Sequence, residues 1–149
     1  MIDRPAIIAE ARRWLGTPFR DSCGLLGQGV DCLWFCYGVY QALGHVPKGI
    51  IPPYSPQFLM HQTDDPFLRE IAPYTVEIAP DEAQMGDMVI FKFGRCYSHS
   101  ALIIAWPKII HAHKPANCVL EDNAINNQLL ARDAHGERPR KFFTLREAA

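Results

Sequence analysis

The stretch that most constrains this chain is GQGVDCLWFCYGVYQALGH, which runs from Gly27 to His45. From Cys32 to Leu43 it carries no charged residue, and Gly44 is placed to close a helix in the left-handed conformation. A helix that is apolar nearly all round cannot keep one wet face. It must be packed on several sides, in the middle of a domain. Asp31 stands where an N-cap belongs. Cys32 then falls on the first helical turn, where unpaired N–H groups and the positive end of the helix dipole converge. A thiol there has three readings: a small core residue, a metal ligand, or a nucleophile whose pKa is lowered by the helix end.

The rest of the chain supplies what packs around that helix. Asp3 predicts a cap for an earlier helix, with Pro5 in its first turn and an apolar stripe of Ile7, Ile8, Ala11, Trp14 and Leu15. Gly16-Thr17-Pro18 ends it. Residues 20–30, with glycines at 24, 27 and 29, read as a loop. From His45 to Pro80 the chain is dense in proline, and short helical turns are expected at 56–60 and 66–71. Strands are predicted at 88–93, 99–104, 108–112, 118–121 and 140–145, with a helix over 123–132. Helices first and a strand meander second give an α+β domain, the nucleophile helix packed on an antiparallel sheet of about five strands. The 149 residues, 48% hydrophobic, suit a single domain over 1–149.

The formal net charge of −1 offers no basic excess, so neither nucleic acid nor an anionic membrane is an expected partner. No apolar run is long enough to span a bilayer. Asp3, Arg4, Glu10, Arg12 and Arg13 interrupt any signal-peptide core, so no signal peptide is expected. Five cysteines, an odd number, point to reduced thiols and cytoplasmic synthesis.

If Cys32 is a nucleophile acting on an amide, an acid must protonate the leaving nitrogen, and histidine is the usual supplier. His99, in SHSALII, and His111, in KIIHAH, lie twelve residues apart on consecutive predicted strands. A hairpin centred near Ala105 sets them opposite each other on one face. His111 then holds one ring nitrogen of His99 and leaves the other for Cys32. A one-residue slip in register would send them to opposite faces. His113 shares the face of His111 and is the alternative third residue. Cys36, one turn after Cys32, reads as core, and Cys23, Cys96 and Cys118 as structural. Asp87 reads as a turn residue. His45, His61 and His135 fall in loop-like, solvated contexts. Cys32, Cys36, Cys96, His99, His111 and His113 could be written down as zinc ligands, but the C-x-x-x-C spacing is not that of a zinc knuckle. No metal or cofactor is expected.

The blocks GTPFR (16–20), GVDC (29–32), MGDMVIF (85–91), SHSALII (98–104) and IIHA (109–112) occur in an order that resembles the NlpC-type (NlpC/p-sixty) cell-wall cysteine peptidases, a papain-like family. That family shows GTPYRWGG, GxDCSGLV, GDLVFF, HVGIYL and FIHA. The resemblance covers about two thirds of the chain. It implies Cys32 as nucleophile, His99 as base and acid, His111 as the orienting residue, and no cofactor. It implies peptidoglycan stem peptides as substrate, cut between D-γ-glutamate and a diamino acid. Phe19, Asp31 and Ser98 become candidates for the oxyanion site and substrate loop. Leu33 after the cysteine resembles the phage-tail and prophage branch, which implies tail proteins as targeting partners and a virion-associated location. Two departures stand out: Trp34 replaces a glycine, and Phe19 replaces a tyrosine whose hydroxyl lies near the nucleophile. Two other functions remain open: an amidase or acyltransferase on another substrate, and an inactive binding or assembly module.

Overall fold

The computed structural model describes residues 1–48 and 65–147. The helical turn expected at 56–60 and His61 lie outside the described residues. Helix α1 (Arg4–Arg13) starts as expected: the Asp3 carboxylate accepts from the Ala6 N–H, and Pro5 sits in the first turn. Ile7, Ile8, Ala11 and Trp14 are buried, but Leu15, beyond the helix end, is exposed. Residues 20–30 are not wholly irregular. Strands β1 (Gly24–Leu25) and β2 (Gly29–Val30) pair as a small hairpin.

Helix α2 (Cys32–Ala42) is the charge-free segment. Leu33, Phe35, Cys36, Val39 and Tyr40 are buried, and Gly44 adopts φ +79° after the helix end. A helical turn at Pro66–Ile71 follows. The strands are β3 (Thr75–Ile78), β4 (Met88–Phe93), β5 (Cys96–Ala105), β6 (Lys108–His113), β7 (Cys118–Asn123), β8 (Arg132–Asp133), β9 (Gly136–Glu137) and β10 (Arg140–Leu145). Six form one antiparallel sheet in the order β3-β10-β4-β5-β6-β7. The sheet has one more strand than expected: β3, four residues long, pairs with β10. The helix predicted over 123–132 shrinks to Gln128–Ala131, because Asn123 still belongs to β7 and Asn127 caps the helix, accepting from the Leu129 and Leu130 N–H groups.

The sheet buries both faces. Met88, Ile90, Leu102, Ile110 and Ala112 pack against α1 and α2. Val89, Phe91, Ala101, Ile103 and Ile109 pack on the other side with Leu130 and Phe142. α2 lies against β5 and β6, which carry the histidines.

The link between α1 and the sheet is a polar hub. Asp87, 2% exposed, accepts through Oδ1 from Arg4 Nη1 (2.8 Å) and Thr144 Oγ1 (2.7 Å), and through Oδ2 from the Gln84 N–H (2.8 Å). It is the turn residue expected, and also the anchor of the first helix. Gly86 next to it has φ +85°, and a Cβ there would meet Ile7 Cδ1 at 3.0 Å, so the turn needs glycine for both shape and space.

Candidate active site

Asp31 does what its position demands. Its Oδ1 accepts from the Trp34 N–H at 2.8 Å and its Oδ2 from the Ser22 N–H at 2.7 Å, so one buried carboxylate caps α2 and ties down the preceding loop. Trp34, bulky where the resembled family has glycine, is accommodated by Gly24. A Cβ at residue 24 would sit 2.8 Å from the indole ring, which also makes an edge contact with Tyr37. Phe19 is half-buried against the main core, its backbone bridged to Val30 and bonded to the Asn117 carbonyl.

The Cys32 thiol donates to the Ser98 carbonyl at 3.4 Å, and the Ser100 hydroxyl donates to the Cys32 carbonyl at 2.8 Å. The start of α2 is thereby fastened to the two residues that flank His99. The β4–β5 register shifts here: His99 lies opposite Phe91, but Tyr97 lies opposite Lys92, so Ser98 is the extra residue of a bulge. Such bulges re-aim side chains and are common beside functional sites.

The histidines meet, though not by the expected register. Leu102 lies opposite Ile110 and Ile103 opposite Ile109, with Ile104 inserted before Ala105 pairs with Lys108. Continued at this spacing, Ala101 rather than His99 falls opposite His111. The two imidazoles are diagonal neighbours on one face. His99 Nε2 lies 2.8 Å from His111 Nδ1, with the rings nearly perpendicular. His111, fully buried, extends its Nε2 to Asp122 Oδ2 at 3.0 Å. Asp122 Oδ2 also accepts from Asn127 Nδ2 (2.9 Å), and Oδ1 accepts from the Asn123 N–H (2.8 Å). His113 is not the partner of His99. It stacks on His111 with ring centroids 4.6 Å apart, and its Nε2 lies 3.2 Å from Asn127 Nδ2.

This chain fixes the proton positions. A carboxylate only accepts, so His111 Nε2 must carry a proton toward Asp122. His111 Nδ1 is then an acceptor, His99 Nε2 its donor, and His99 Nδ1 keeps the lone pair. The part of Asp122 and Asn127 in this histidine network was not legible in the sequence. The signal is the β6–β7 register, which sets Asp122 opposite Ile109, on the His111 face.

The electrostatics differ from the expectation of a thiolate. Cys32 is only partly buried as a residue, but its thiol is desolvated. Burial, reinforced by the Asp31 carboxylate, pushes the thiol up to about 12. The N–H groups of Ser100, Leu33 and Cys32 oppose this and lose. Burial, then the neighbouring His111, His113 and Arg138, holds His99 well below the usual imidazole value. Burial and His113 bring His111 down to about 4, against the pull of Asp122. Burial alone would raise Asp122, but hydrogen bonds from Asn127, Asn123 and His111 outweigh it and keep the carboxyl below its usual value. Near neutral pH the Cys32 thiol and the His99 and His111 imidazoles are therefore all uncharged.

None of the five cysteines is in a disulfide, and Cys36 and Cys96 are buried. Among the described residues the cluster able to hold a metal is His99, His111 and His113, without the cysteines that the sequence offered. His45 makes an edge contact with Tyr40, and burial lowers its pKa; His135 is exposed. No helix of the described residues is long and apolar enough to cross a membrane.

No family model and no curated protein sequence matches the chain. Solved structures do. The NlpC/p60 domain of the peptidoglycan hydrolase SagA superposes with a TM-score of 0.61 at 24% identity, over 82% of this chain and 90% of that one. A lipoprotein-like NLP/P60 family protein from Staphylococcus aureus gives 0.63 at 19%, over 93% of this chain but 42% of that chain. RipD from Mycobacterium tuberculosis, a non-catalytic NlpC/p60 domain protein adapted to peptidoglycan binding, gives 0.60 at 13%, over 97% and 98%. The chain has the NlpC/p60 fold, an α+β papain-like arrangement.

Proposed function

We propose that this chain is a cysteine hydrolase of peptidoglycan stem peptides, cutting the amide between D-γ-glutamate and a diamino acid. One observation carries the reading: the chain Asp122–His111–His99, joined at 3.0 and 2.8 Å, abuts the β5 residues to which the Cys32 helix is fastened. Cys32 is the nucleophile, His99 the base and acid, and His111 the orienting residue. Asp122 positions His111 and holds its tautomer.

Because the resting thiol is protonated, attack and proton transfer are coupled. The Cys32 S–H leaves the Ser98 carbonyl, and its proton passes to His99 Nδ1 as sulfur bonds to the amide carbon. The backbone N–H of Cys32 is the oxyanion donor. His99 then gives the proton to the leaving nitrogen, the C–N bond breaks, and a thioester remains. Water attacks the thioester, His99 takes its proton, and the thiol is restored. A neutral imidazole suits this role, because a base must hold its lone pair until the thiol arrives.

Superposition with peptidoglycan hydrolases, together with the ordered sequence blocks, supports the substrate class. Leu33 after the cysteine is the feature that favours a phage-tail setting and tail proteins as targeting partners. A second reading, a peptidoglycan-binding module without activity, draws on the raised Cys32 thiol and on the similarity to RipD. The test is a stem-peptide analogue in which a chloromethyl ketone replaces the scissile amide. On the catalytic reading it adds one mass equivalent at Cys32, and His99→Ala slows the labelling. Labelling no faster than that of the other four cysteines defeats the catalytic reading.

A further inference from the structure

His113 has no part in the hydrolytic chain, yet it is buried, stacked on His111 and tethered by Asn127. We propose that His99, His111 and His113 form a three-imidazole site for a divalent transition-metal ion of the zinc class, and that metal and catalysis exclude each other there.

The spacing suits such an ion. One ring nitrogen from each histidine lies within 4.8 Å of the other two. Zinc–nitrogen bonds of about 2.0–2.1 Å in a tetrahedron set the nitrogens about 3.3–3.4 Å apart. His99 Nε2 and His111 Nδ1, now 2.8 Å apart, open by about half an ångström, and the proton on His99 Nε2 moves to His99 Nδ1, through solvent, so that both nitrogens face the ion with a lone pair. The third imidazole closes in.

The surroundings suit it too. A metal-bound histidine ordinarily donates its other N–H to a carboxylate or carbonyl, which fixes its ring and tautomer. His111 already does so: with Nδ1 on the metal, Nε2–H remains on Asp122 at 3.0 Å. Asn127 Nδ2 donates to Asp122 Oδ2 and orients that carboxylate; it also donates to His113 Nε2 in the metal-free chain, a bond that His113 gives up when it binds the ion. His111 and His113 are buried, while His99 is partly open, which leaves the fourth position to water. The same coordination breaks the His99–His111 hydrogen bond. Loss of hydrolysis on metal binding, reversed by chelation, rests on the catalytic reading above; the metal site itself does not.

The test uses the full chain, stripped with chelator and titrated with cobalt(II) and then zinc. One equivalent of cobalt should give the visible absorption of a tetrahedral ion, displaced by zinc. His113→Gln should lose that spectrum and bind zinc at least as much weaker as the loss of an outer-shell partner costs, about 10–100-fold. Asp122→Asn should weaken zinc by about 10–100-fold. Cys32→Ala should bind as the parent does. Unchanged thermal unfolding of the metal-free variants shows that the fold survives. Failure of the parent to bind, parent-like binding by His113→Gln, or loss of binding in Cys32→Ala overturns the site. A chain that takes up cobalt but never cleaves peptidoglycan peptides leaves the site standing and refutes only the inhibition.

Discussion

Replacing Asp87 by alanine tests how the first helix is held on the sheet. The substitution removes three acceptor contacts at once, to Arg4, Thr144 and the Gln84 N–H. Breaking a buried ion pair on one side costs about 3–5 kcal/mol, because the other partner is left uncompensated. The Arg4 side chain is 25% exposed and keeps its bond to the Met85 carbonyl, so it can turn to water. That places the loss near the lower end, about 3 kcal/mol. For a chain of this length, 1 kcal/mol moves the melting temperature by about 2–4 °C, so a fall of about 6–12 °C is expected. The complementary change, Arg4→Met, should cost no less, since it strands a carboxylate that is only 2% exposed. The double variant should cost clearly less than the sum, because neither charge is then left alone. Thermal unfolding followed by circular dichroism reads all four proteins. A drop below about 2 °C for Asp87→Ala, or strict additivity in the cycle, would refute the hub.

Other perturbations probe the site. Asp122→Asn weakens the demand for a proton on His111 Nε2. If the tautomer flips, His99 is forced to protonate the nitrogen meant for the thiol, and kcat/KM should fall by about 10²–10⁴; a change within about threefold would remove Asp122 from the account. Acid should destabilise the metal-free fold in a defined window. His111 is held neutral down to about 4 in the folded chain, whereas the unfolded chain takes up a proton near the ordinary value of 6.5. The unfolded state therefore binds more protons between these limits. The His111 share of stability is full above about pH 6.5 and falls by up to about 3 kcal/mol toward pH 4, and the buried His99 adds to the loss in the same direction. Urea unfolding at several pH values should show that slope, and His111→Asn should make it shallower, His99 supplying the remainder. Gly24→Ala forces a methyl to 2.8 Å from the Trp34 ring and should cost about 1–3 kcal/mol with a shift in tryptophan emission. Unchanged emission would show that the indole does not depend on that glycine.

Much of the site was legible because its parts are local. A charge-free helix after an aspartate names its own cap, its own burial and the residue on its first turn. The spacing of the two strand histidines does not by itself put them on one face: the pairing of Ala105 with Lys108 at the turn would send them to opposite faces, and the inserted Ile104 shifts the register by one and makes them diagonal neighbours on the same face. Asp122 was not legible, because its place on the His111 face depends on pairing across the β6–β7 turn. Strand β3 was missed because four residues inside a proline-dense stretch carry little periodic signal. The charge state of Cys32 ran against the local rule. A helix start favours the thiolate, but desolvation of the sulfur and the nearby Asp31 carboxylate, both products of tertiary packing, outweigh the N–H groups.

The central claim is that Cys32 cuts stem peptides with help from His99, and the most direct measurement is digestion of purified muropeptides with product masses read over time. The account predicts two peptide products from cleavage after D-γ-glutamate, formed by the parent chain and lost in Cys32→Ala and His99→Ala. Muropeptides that are bound by the parent chain but remain intact would contradict it, and would leave a peptidoglycan-binding domain in place of an enzyme.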